Sequence, residues 1–170
     1  MVADETLMQQ VISGDSKAAD ALLERYKKPL YSFIFRMTVN ESDSDDLFQE
    51  TWLRVIRYCR TFNPQKKFST WLFQIAANCT RDFFRNKKNF VSLEEAPPAV
   101  HEEKSSLENS EWARKLMKNL PVYQREVVVL KFFHSKKERE IAEILDIPIG
   151  TVKSRLHKAM NYLKGMHGEQ

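Results

Sequence analysis

Apolar residues recur at helical spacing along the chain, and every strong periodicity in the pattern is that of a helix. A first helix is predicted after Asp4 as its cap, and a second begins at Asp15 and contains Pro29, which should kink or break it. A third begins at about Ser44, and a fourth follows Ser69 as its cap. Their inward positions are Leu7, Met8, Val11 and Ile12; Ala18, Leu22, Tyr26, Leu30, Phe33, Ile34 and Met37; Leu47, Phe48, Trp52, Val55, Ile56 and Cys59; Trp71, Leu72, Ile75, Ala76, Cys79 and Phe83.

Residues 141–158 contain two short amphipathic segments on either side of a tight turn. Pro148 cannot extend the first segment, so the pattern predicts a helix-turn-helix. Val152, Leu156 and Ala159 form the inner face of its second helix. The outward side chains, which could reach base edges and phosphates in a major groove, are Thr151, Lys153, Ser154, His157 and Lys158. The alternative is a helical hairpin whose basic residues are merely solvated.

Helical periodicity is interrupted between residues 91 and 108, where Pro97-Pro98 and Ser105-Ser106 occur with five Glu and one Lys. This composition is typical of an extended acidic linker. The sequence therefore predicts an all-α protein of two small helical domains, at 1–92 and 109–170, joined by a flexible linker at 93–108.

The net charge is +4 with an isoelectric point near 9.0, but its distribution is more informative than its sum. Residues 41–50 carry five acids and no base, whereas residues 77–90 carry four bases against one acid. Residues 149–167 carry four bases and no acid. Segregated surfaces of this kind indicate a polyanionic partner and a separate basic or protein partner.

Several classes of protein are disfavoured. No apolar run is long enough to span a membrane and the amino terminus has no signal-peptide pattern, so a cytoplasmic protein without membrane insertion is expected. Cys59 and Cys79 support neither a disulfide framework nor a zinc site, and buried free thiols are the simpler interpretation. His101-Glu102 belongs to no metalloprotease motif and the four glycines form no phosphate loop. We therefore expect no enzyme, no metal and no cofactor.

Polar side chains line the outer faces of the third and fourth predicted helices. On the third helix they are Asp45, Asp46, Gln49, Glu50, Arg54 and Arg57. On the fourth, Gln74, Asn78, Arg81 and Arg85 form one line along the helix. That line, above Trp71, Phe73, Phe83 and Phe84, could hold a nucleic-acid backbone and offer platforms for unstacked bases. The alternative is that these aromatic rings fill the core.

At this point the sequence resembles the extracytoplasmic-function (ECF) sigma factors of bacterial RNA polymerase over nearly its whole length. Five motifs carry the resemblance in fixed order: GDSKAADALL at 14–23, DDLFQETWLRV at 45–55, FSTWLFQIAAN at 68–78, LPVYQREV at 120–127 and IAEILDIPIGTVKSRL at 141–156. A helix-turn-helix alone would be weakly specific, but the ordered set is strong. The family architecture consists of two helical domains, σ2 and σ4, joined by a flexible linker.

The resemblance implies roles for individual residues. It implies that the clamp helices of the largest polymerase subunit bind Asp45, Asp46, Gln49, Glu50 and Arg54; solvated acids are the ordinary alternative. It implies that a flipped base of the -10 element is received near Asn78, beside the loop of Lys66, Lys67 and Phe68. Gln74, Asn78, Arg81 and Arg85 would track the single strand. It implies -35 recognition by Lys153, Ser154, His157 and Lys158, with Thr151 and Arg155 placed for phosphates.

The implied partners are core RNA polymerase, including the flap of its second-largest subunit, promoter DNA and an anti-sigma factor. The acidic linker either imitates nascent RNA or is a plain tether. In the helix-turn-helix the chain departs from the family pattern at two positions, where Ser135 would have to replace a cap and Asp146 would adopt a left-handed backbone. The competing class is a stand-alone helix-turn-helix regulator that binds duplex DNA unaided.

Overall fold

A computed structural model describes residues 1–91 and 110–167, and all regular structure within these two ranges is helical. The elements are α1 (Asp4–Ile12), α2 (Ser16–Thr38), α3 (Glu41–Arg57), a 3-10 turn (Cys59–Thr61), α4 (Phe68–Val91), α5 (Ser110–Asn119), α6 (Val122–Val128), a π-helical turn (Val129–Phe133), α7 (Glu138–Leu145) and α8 (Ile149–His167). The predicted all-α class is confirmed for these ranges. The acidic linker predicted at 93–108 lies outside the described residues.

Helix α2 packs against both α1 and α3. It begins after Asp15, whose carboxylate accepts from the backbone N–H groups of Lys17 and Ala18 at 2.9 and 3.4 Å, as the sequence predicts. The helix runs through Pro29 without a break. Of the two predicted outcomes, a kink or a break, the break is therefore wrong. Apolar contacts on both sides of the proline outweigh the one backbone hydrogen bond it removes. The fully buried side chains are Leu22, Leu30, Phe33, Ile34 and Met37.

The residues predicted to begin each helix are less accurate than the positions predicted to point inward. Ala3 precedes α1, and the Asp4 carboxylate instead accepts from Arg25 at 2.6 Å and from the hydroxyl of Tyr26 at 2.5 Å. This links α1 to α2. Asn40 caps α3 by accepting from the N–H of Asp43 at 2.8 Å, so α3 starts earlier than predicted. Helix α4 begins at Phe68, which leaves Ser69 inside it.

The second half packs α6, α7 and α8 around a common core. Val152, Leu156 and Ala159 are buried on α8, and Ile141 and Leu145 are buried on α7, as the helix-turn-helix pattern predicts. Asp146 has a φ of 52°, which confirms the left-handed backbone expected at the turn.

The start of α7 differs from its prediction. Ser135 does not cap the helix; Lys137 occupies that position, and Glu140 accepts from its backbone N–H at 2.8 Å. This gives one half of a capping box, with the glutamate of the first turn satisfying a free donor.

The two halves are docked on each other through α2 and α4 on one side and α6, α7 and the π-helical turn on the other. Arg125, which is buried on α6, donates to the backbone carbonyl of Met37 at the end of α2. From the other side, the His134 ring lies edge-on to Phe33 and Phe73, with ring centroids 6.0 and 5.3 Å apart. Burial, together with the nearby cations Lys136 and Arg36, lowers the pKa of His134 to about 4.

We predict that His134 makes the stability of the docked protein depend on pH. Because its pKa is about 4 in the folded state and 6.5 for an unperturbed histidine, the folded protein binds fewer protons than the unfolded chain between these values. The contribution is therefore complete above pH 6.5 and is lost as the pH falls toward 4, by roughly 3 kcal/mol at most.

The measurement is a urea denaturation series between pH 8 and 5 on the wild type and on His134→Phe, which keeps the aromatic contacts. The midpoint of the wild type should fall more steeply below pH 6.5, while the two curves stay parallel between pH 7 and 8. Equal slopes below pH 6.5 would contradict the assignment.

Candidate nucleic-acid interface

The outer face of α8 presents a compact set of polar side chains at its amino-terminal half. Lys153, Ser154, His157 and Lys158 are exposed there, opposite the buried apolar positions. Because α8 begins at Ile149, they fall within its first three turns. Asn161, which the sequence did not single out, lies one turn further on and its amide nitrogen is 3.1 Å from Nε2 of His157.

The predicted line along α4 is only partly free. Asn78 and Arg85 are exposed, and Arg85 pairs with Asp82 one turn earlier at 3.0 Å. Arg81, between them, is instead held by Glu126 of α6, which accepts from its Nε at 2.9 Å and from its Nη2 at 2.7 Å. The line predicted from spacing is therefore interrupted at its centre in this arrangement.

A cleft of about 1210 Å³ separates the loop before α4 from α7 and the turn of the helix-turn-helix. Lys66, Lys67 and Gln74 line one wall, and Glu140 and Glu143 line the other. The structure thus brings three of the residues predicted for -10 binding into one cleft, but Asn78 is not among its lining residues.

Phe68 does not belong to the accessible surface. It is fully buried and packs against Tyr26 and Phe62, with ring centroids 5.3 and 6.0 Å apart, while its backbone N–H donates to Glu5 at 2.9 Å. A direct contact between Phe68 and DNA is therefore corrected to a supporting role beneath the loop. Trp71 also packs on Phe62, with ring centroids 5.3 Å apart, but it remains partly exposed at the cleft.

Phe73, Phe83 and Phe84 divide between the two alternatives, which are a place in the core and a platform for unstacked bases. Phe73 is buried, which agrees with a core role. Phe83 and Phe84 are partly buried and lie against each other, with ring centroids 5.2 Å apart. Of the four aromatic residues predicted to offer platforms, Trp71, Phe83 and Phe84 therefore retain surface that another molecule could contact.

The acidic face of α3 lies away from the core. Asp45, Asp46 and Gln49 are exposed, while Glu50 and Arg54 are partly buried and paired at 2.7 Å. Arg54 also reaches Asp82 on α4 at 2.9 Å.

On this face, the hydrogen bonds accepted by Glu50 and Asp45 raise the pKa values of the side chains that donate them. The hydrogen bond to Glu50 raises the pKa of Arg54 above its usual value. Burial and the hydrogen bond from its hydroxyl to Asp45, at 3.0 Å, raise the pKa of Tyr31 to about 12. Both groups therefore keep their protons at neutral pH, and the hydrogen bonds that hold Asp45 and Glu50 in place persist.

Near the carboxyl end of α3, the buried face differs from the prediction. Ile56 was predicted to point inward, yet it is 49% exposed, and the neighbouring Leu53 is 59% exposed. Thr51 is fully buried in the stripe and its hydroxyl donates to the carbonyl of Leu47 at 2.7 Å. A polar residue on the buried side hid the true phase of the helix, so an apolar patch beside the acidic face was missed.

Two buried charges on α6 were also missed. Arg125 and Glu126 are 5% and 0% exposed, although they stand side by side in an apolar run. Arg125 donates to the carbonyls of Lys118 and Leu120 at 3.1 and 2.9 Å, and burial lowers its pKa to about 10. Glu126 accepts from Arg155 of α8 at 3.3 Å as well as from Arg81. A charged pair inside the segment VYQREVVV is the signal that could have found them.

Comparison with known proteins gives a family for this geometry. Residues 22–90 match the profile of Sigma-70 region 2, and residues 110–163 match that of Sigma-70, region 4. The chain is 34% identical to the ECF RNA polymerase sigma factor SigW of Bacillus subtilis, in an alignment that covers 92% of each chain. The chain belongs to the ECF sigma factors. Like its family, this sigma factor directs promoter-specific initiation by RNA polymerase, and the stand-alone regulator class is not supported.

Solved structures share the fold of this sigma factor. CnrH, solved in complex with the cytosolic domain of CnrY, aligns over 99% of both chains with a TM-score of 0.75 and 23% identity. The sigma factor RpoE of Bartonella quintana, solved in complex with the anti-sigma factor NepR, covers 88% of this chain and 96% of its own, with a TM-score of 0.72 and 23% identity. At this identity the likeness concerns the fold.

No described helix of this sigma factor is long and apolar enough to cross a membrane. Sigma factors as a family are regulatory subunits and not catalysts, which agrees with the expectation from its motifs.

Proposed function

We propose that this sigma factor divides initiation between a domain at 1–92, which binds polymerase and the -10 element, and a domain at 109–170, which reads the -35 element. The segment 93–108 connects them. The observation that carries the proposal is the exposed basic face of α8, with Lys153, Ser154, His157 and Lys158 opposite a fully packed apolar side. Such a face is free to enter a major groove without loss of core packing.

The polymerase-binding surface is the outer face of α3. Asp45, Asp46, Gln49, Glu50 and Arg54 offer carboxylates and an amide to the basic clamp helices of the largest polymerase subunit. The exposed Leu53 and Ile56 add apolar area beside them, which would be buried on binding. Charge then supplies orientation and apolar burial supplies affinity.

Promoter opening is assigned to two features of the first domain, the loop that precedes α4 and the exposed side-chain amide of Asn78. Unpairing and unstacking a base costs a few kcal/mol, and a pocket that accepts only an extruded base supplies that energy selectively. Asn78 is exposed on α4, and Lys66 and Lys67 line the same cleft as Gln74. Arg85, with Lys87 and Lys88, would hold phosphates along the same strand.

The -35 element is assigned to α8. Lys153, Ser154, His157 and Lys158 are placed for base edges, while Thr151 and Arg155 stand nearer the phosphates at the start of the helix. The same domain would contact the flap of the second-largest subunit. In this role the protein works beside polymerase in the cytoplasm.

An anti-sigma factor is the proposed regulator. The Bartonella quintana sigma factor of the same fold is solved with the anti-sigma factor NepR. A partner of that kind would silence this chain by covering the α3 face, where exposed carboxylates and exposed apolar side chains lie side by side.

Reversing the charge of Asp46 and Glu50 together, with lysine at both positions, should lower the affinity for core polymerase at least tenfold. Asp46 is exposed and Glu50 is only partly buried, so the fold should survive. The measurement is a pull-down titration of core enzyme. Reversal of Asp20 and Glu24, which have the same spacing on α2, is the matched control and should bind normally. Wild-type binding by the folded Asp46 and Glu50 variant would contradict the proposed surface.

Lys153→Ala and Lys158→Ala should each reduce run-off transcription from promoters that need a -35 element, because a base contact is worth roughly 1 to 3 kcal/mol. Lys164→Ala removes the same charge further along α8 and should change transcription little. If all three variants behave alike, general electrostatic attraction accounts for the effect and the recognition face has been placed wrongly.

Asn78→Ala should impair opening of a duplex promoter but not binding to core polymerase, because Asn78 is exposed and lies outside the α3 face. The defect should shrink on a template whose -10 region is premelted by mismatches, where unpairing has already been supplied. Permanganate footprinting beside run-off transcription measures both. Asn86→Ala, exposed on the same helix, is the control. Equal defects on duplex and bubble templates would mean that Asn78 does not act in melting.

A further inference from the structure

We propose that Glu126 is an internal latch that holds the two domains of the free sigma factor together by capturing Arg81 from the -10 face of α4. The inference rests on the proposed function in one respect, which is that Arg81 belongs to the single-strand line. Capture would remove that arginine from the DNA-binding surface until the domains separate.

Arg81 binds the carboxylate of Glu126 through two hydrogen bonds. Nε and Nη2 of Arg81 lie 2.9 and 2.7 Å from the two oxygens of Glu126, so the planar guanidinium is used in its bidentate mode. Glu126 is completely buried, and the side chain of Arg81 is only 19% exposed. A guanidinium held in this way has few donors left for a phosphate.

Arg155 and Arg81 play different parts at this carboxylate. Arg155 belongs to the same domain as Glu126 and makes one longer contact, at 3.3 Å. It stays beside the carboxylate whether or not the domains are docked. Arg81 comes from the other domain, so its pair exists only in the docked form. Arg81 is therefore the exchangeable partner.

Tyr123 makes the pocket specific for arginine. Its ring lies 5.6 Å from the guanidinium carbon of Arg81 and 4.9 Å from that of Arg155. Guanidinium groups stack on aromatic faces in a way that an ammonium group does not reproduce. The ring thus orients both cations toward Glu126 from one side.

The ion pair selects the docked arrangement more than it supplies the docking energy. Buried pairs lose much of their attraction to desolvation, but removal of Arg81 leaves the buried carboxylate with only the longer contact to Arg155. The apolar seam that includes Phe33, Phe73 and His134 provides the surface burial. Without Arg81, hydration of Glu126 would favour separation of the domains.

The first test measures the shape of the free full-length chain by small-angle X-ray scattering on wild type, Arg81→Gln and Arg85→Gln. A compact chain of this length has a radius of gyration of about 15 Å. The wild type and Arg85→Gln should stay near that value, and Arg81→Gln should expand by several ångström. Arg85 loses the same charge from the same helix, and its ion pair is with Asp82 of its own domain, which makes it the matched control.

An extended wild type, or an Arg81→Gln variant as compact as wild type, would overturn the latch. This outcome does not depend on any role in DNA binding. Arg81 meets Glu126 across the interface and not within its own domain, so its substitution is not expected to unfold either domain.

The second test uses a single-stranded oligonucleotide of mixed sequence and the variant Glu126→Gln, which leaves Arg81 intact but releases it. Binding should strengthen, and the salt dependence should steepen by about 0.7 per phosphate gained. Asp20→Asn, which removes an exposed carboxylate of α2 outside the cleft, changes the net charge equally and should leave the slope unchanged.

The two tests separate the latch from the proposed function. Expansion of Arg81→Gln without any gain of single-strand binding by a folded Glu126→Gln supports the latch and counts against Arg81 as a DNA contact. If Glu126→Gln fails to fold, the scattering comparison of Arg81→Gln with Arg85→Gln decides alone.

Discussion

Helix α4 has to be buried from two directions, and the rest of the structure depends on that constraint. Leu72, Ala76 and Cys79 are buried on α4, which packs on α2 and α3, while it also contacts α6 and α7 of the second half. Little of its circumference remains for polar residues. The side chains proposed for DNA binding are those that this double packing leaves outside, and Arg81 lies at the boundary, where the second half reaches it.

Where periodicity was unambiguous, the sequence predicted the structure well. The inner face of α8 followed from apolar spacing, and the left-handed backbone of Asp146 followed from the family resemblance. Helix starts were poorer: the carboxylate of Asp4, which looked like a cap, is occupied by Arg25 of another helix. Tertiary hydrogen bonds compete with local ones, and spacing alone does not reveal them.

The residues of the candidate site also divide into those that local spacing places correctly and those that depend on tertiary contacts. The exposed residues of α8 and α3 could be named from the sequence, because each lies opposite an apolar stripe. Phe68 and Arg81 could not be placed, since their surroundings are set by segments distant in the chain, and Ile56 was misplaced because Thr51 occupies the buried side of the same helix. Buried polar groups were the hardest: Thr51 and Glu126 look like surface residues until the partner that satisfies each one is known.

The contact between Asn161 and His157 bears on which bases α8 can read. The amide nitrogen of Asn161 can only donate, so in this contact Nε2 of His157 is the acceptor and the ring N–H lies on Nδ1. The free edge of the ring then offers an N–H group, which suits the acceptors N7 and O6 of guanine, N7 of adenine and O4 of thymine, and does not suit the amino group of cytosine. With α8 in the proposed -35 role, base preference at this point of the promoter would be a property of two residues one turn apart. Positions 157 and 161 would then belong together when promoters of related sigma factors are compared.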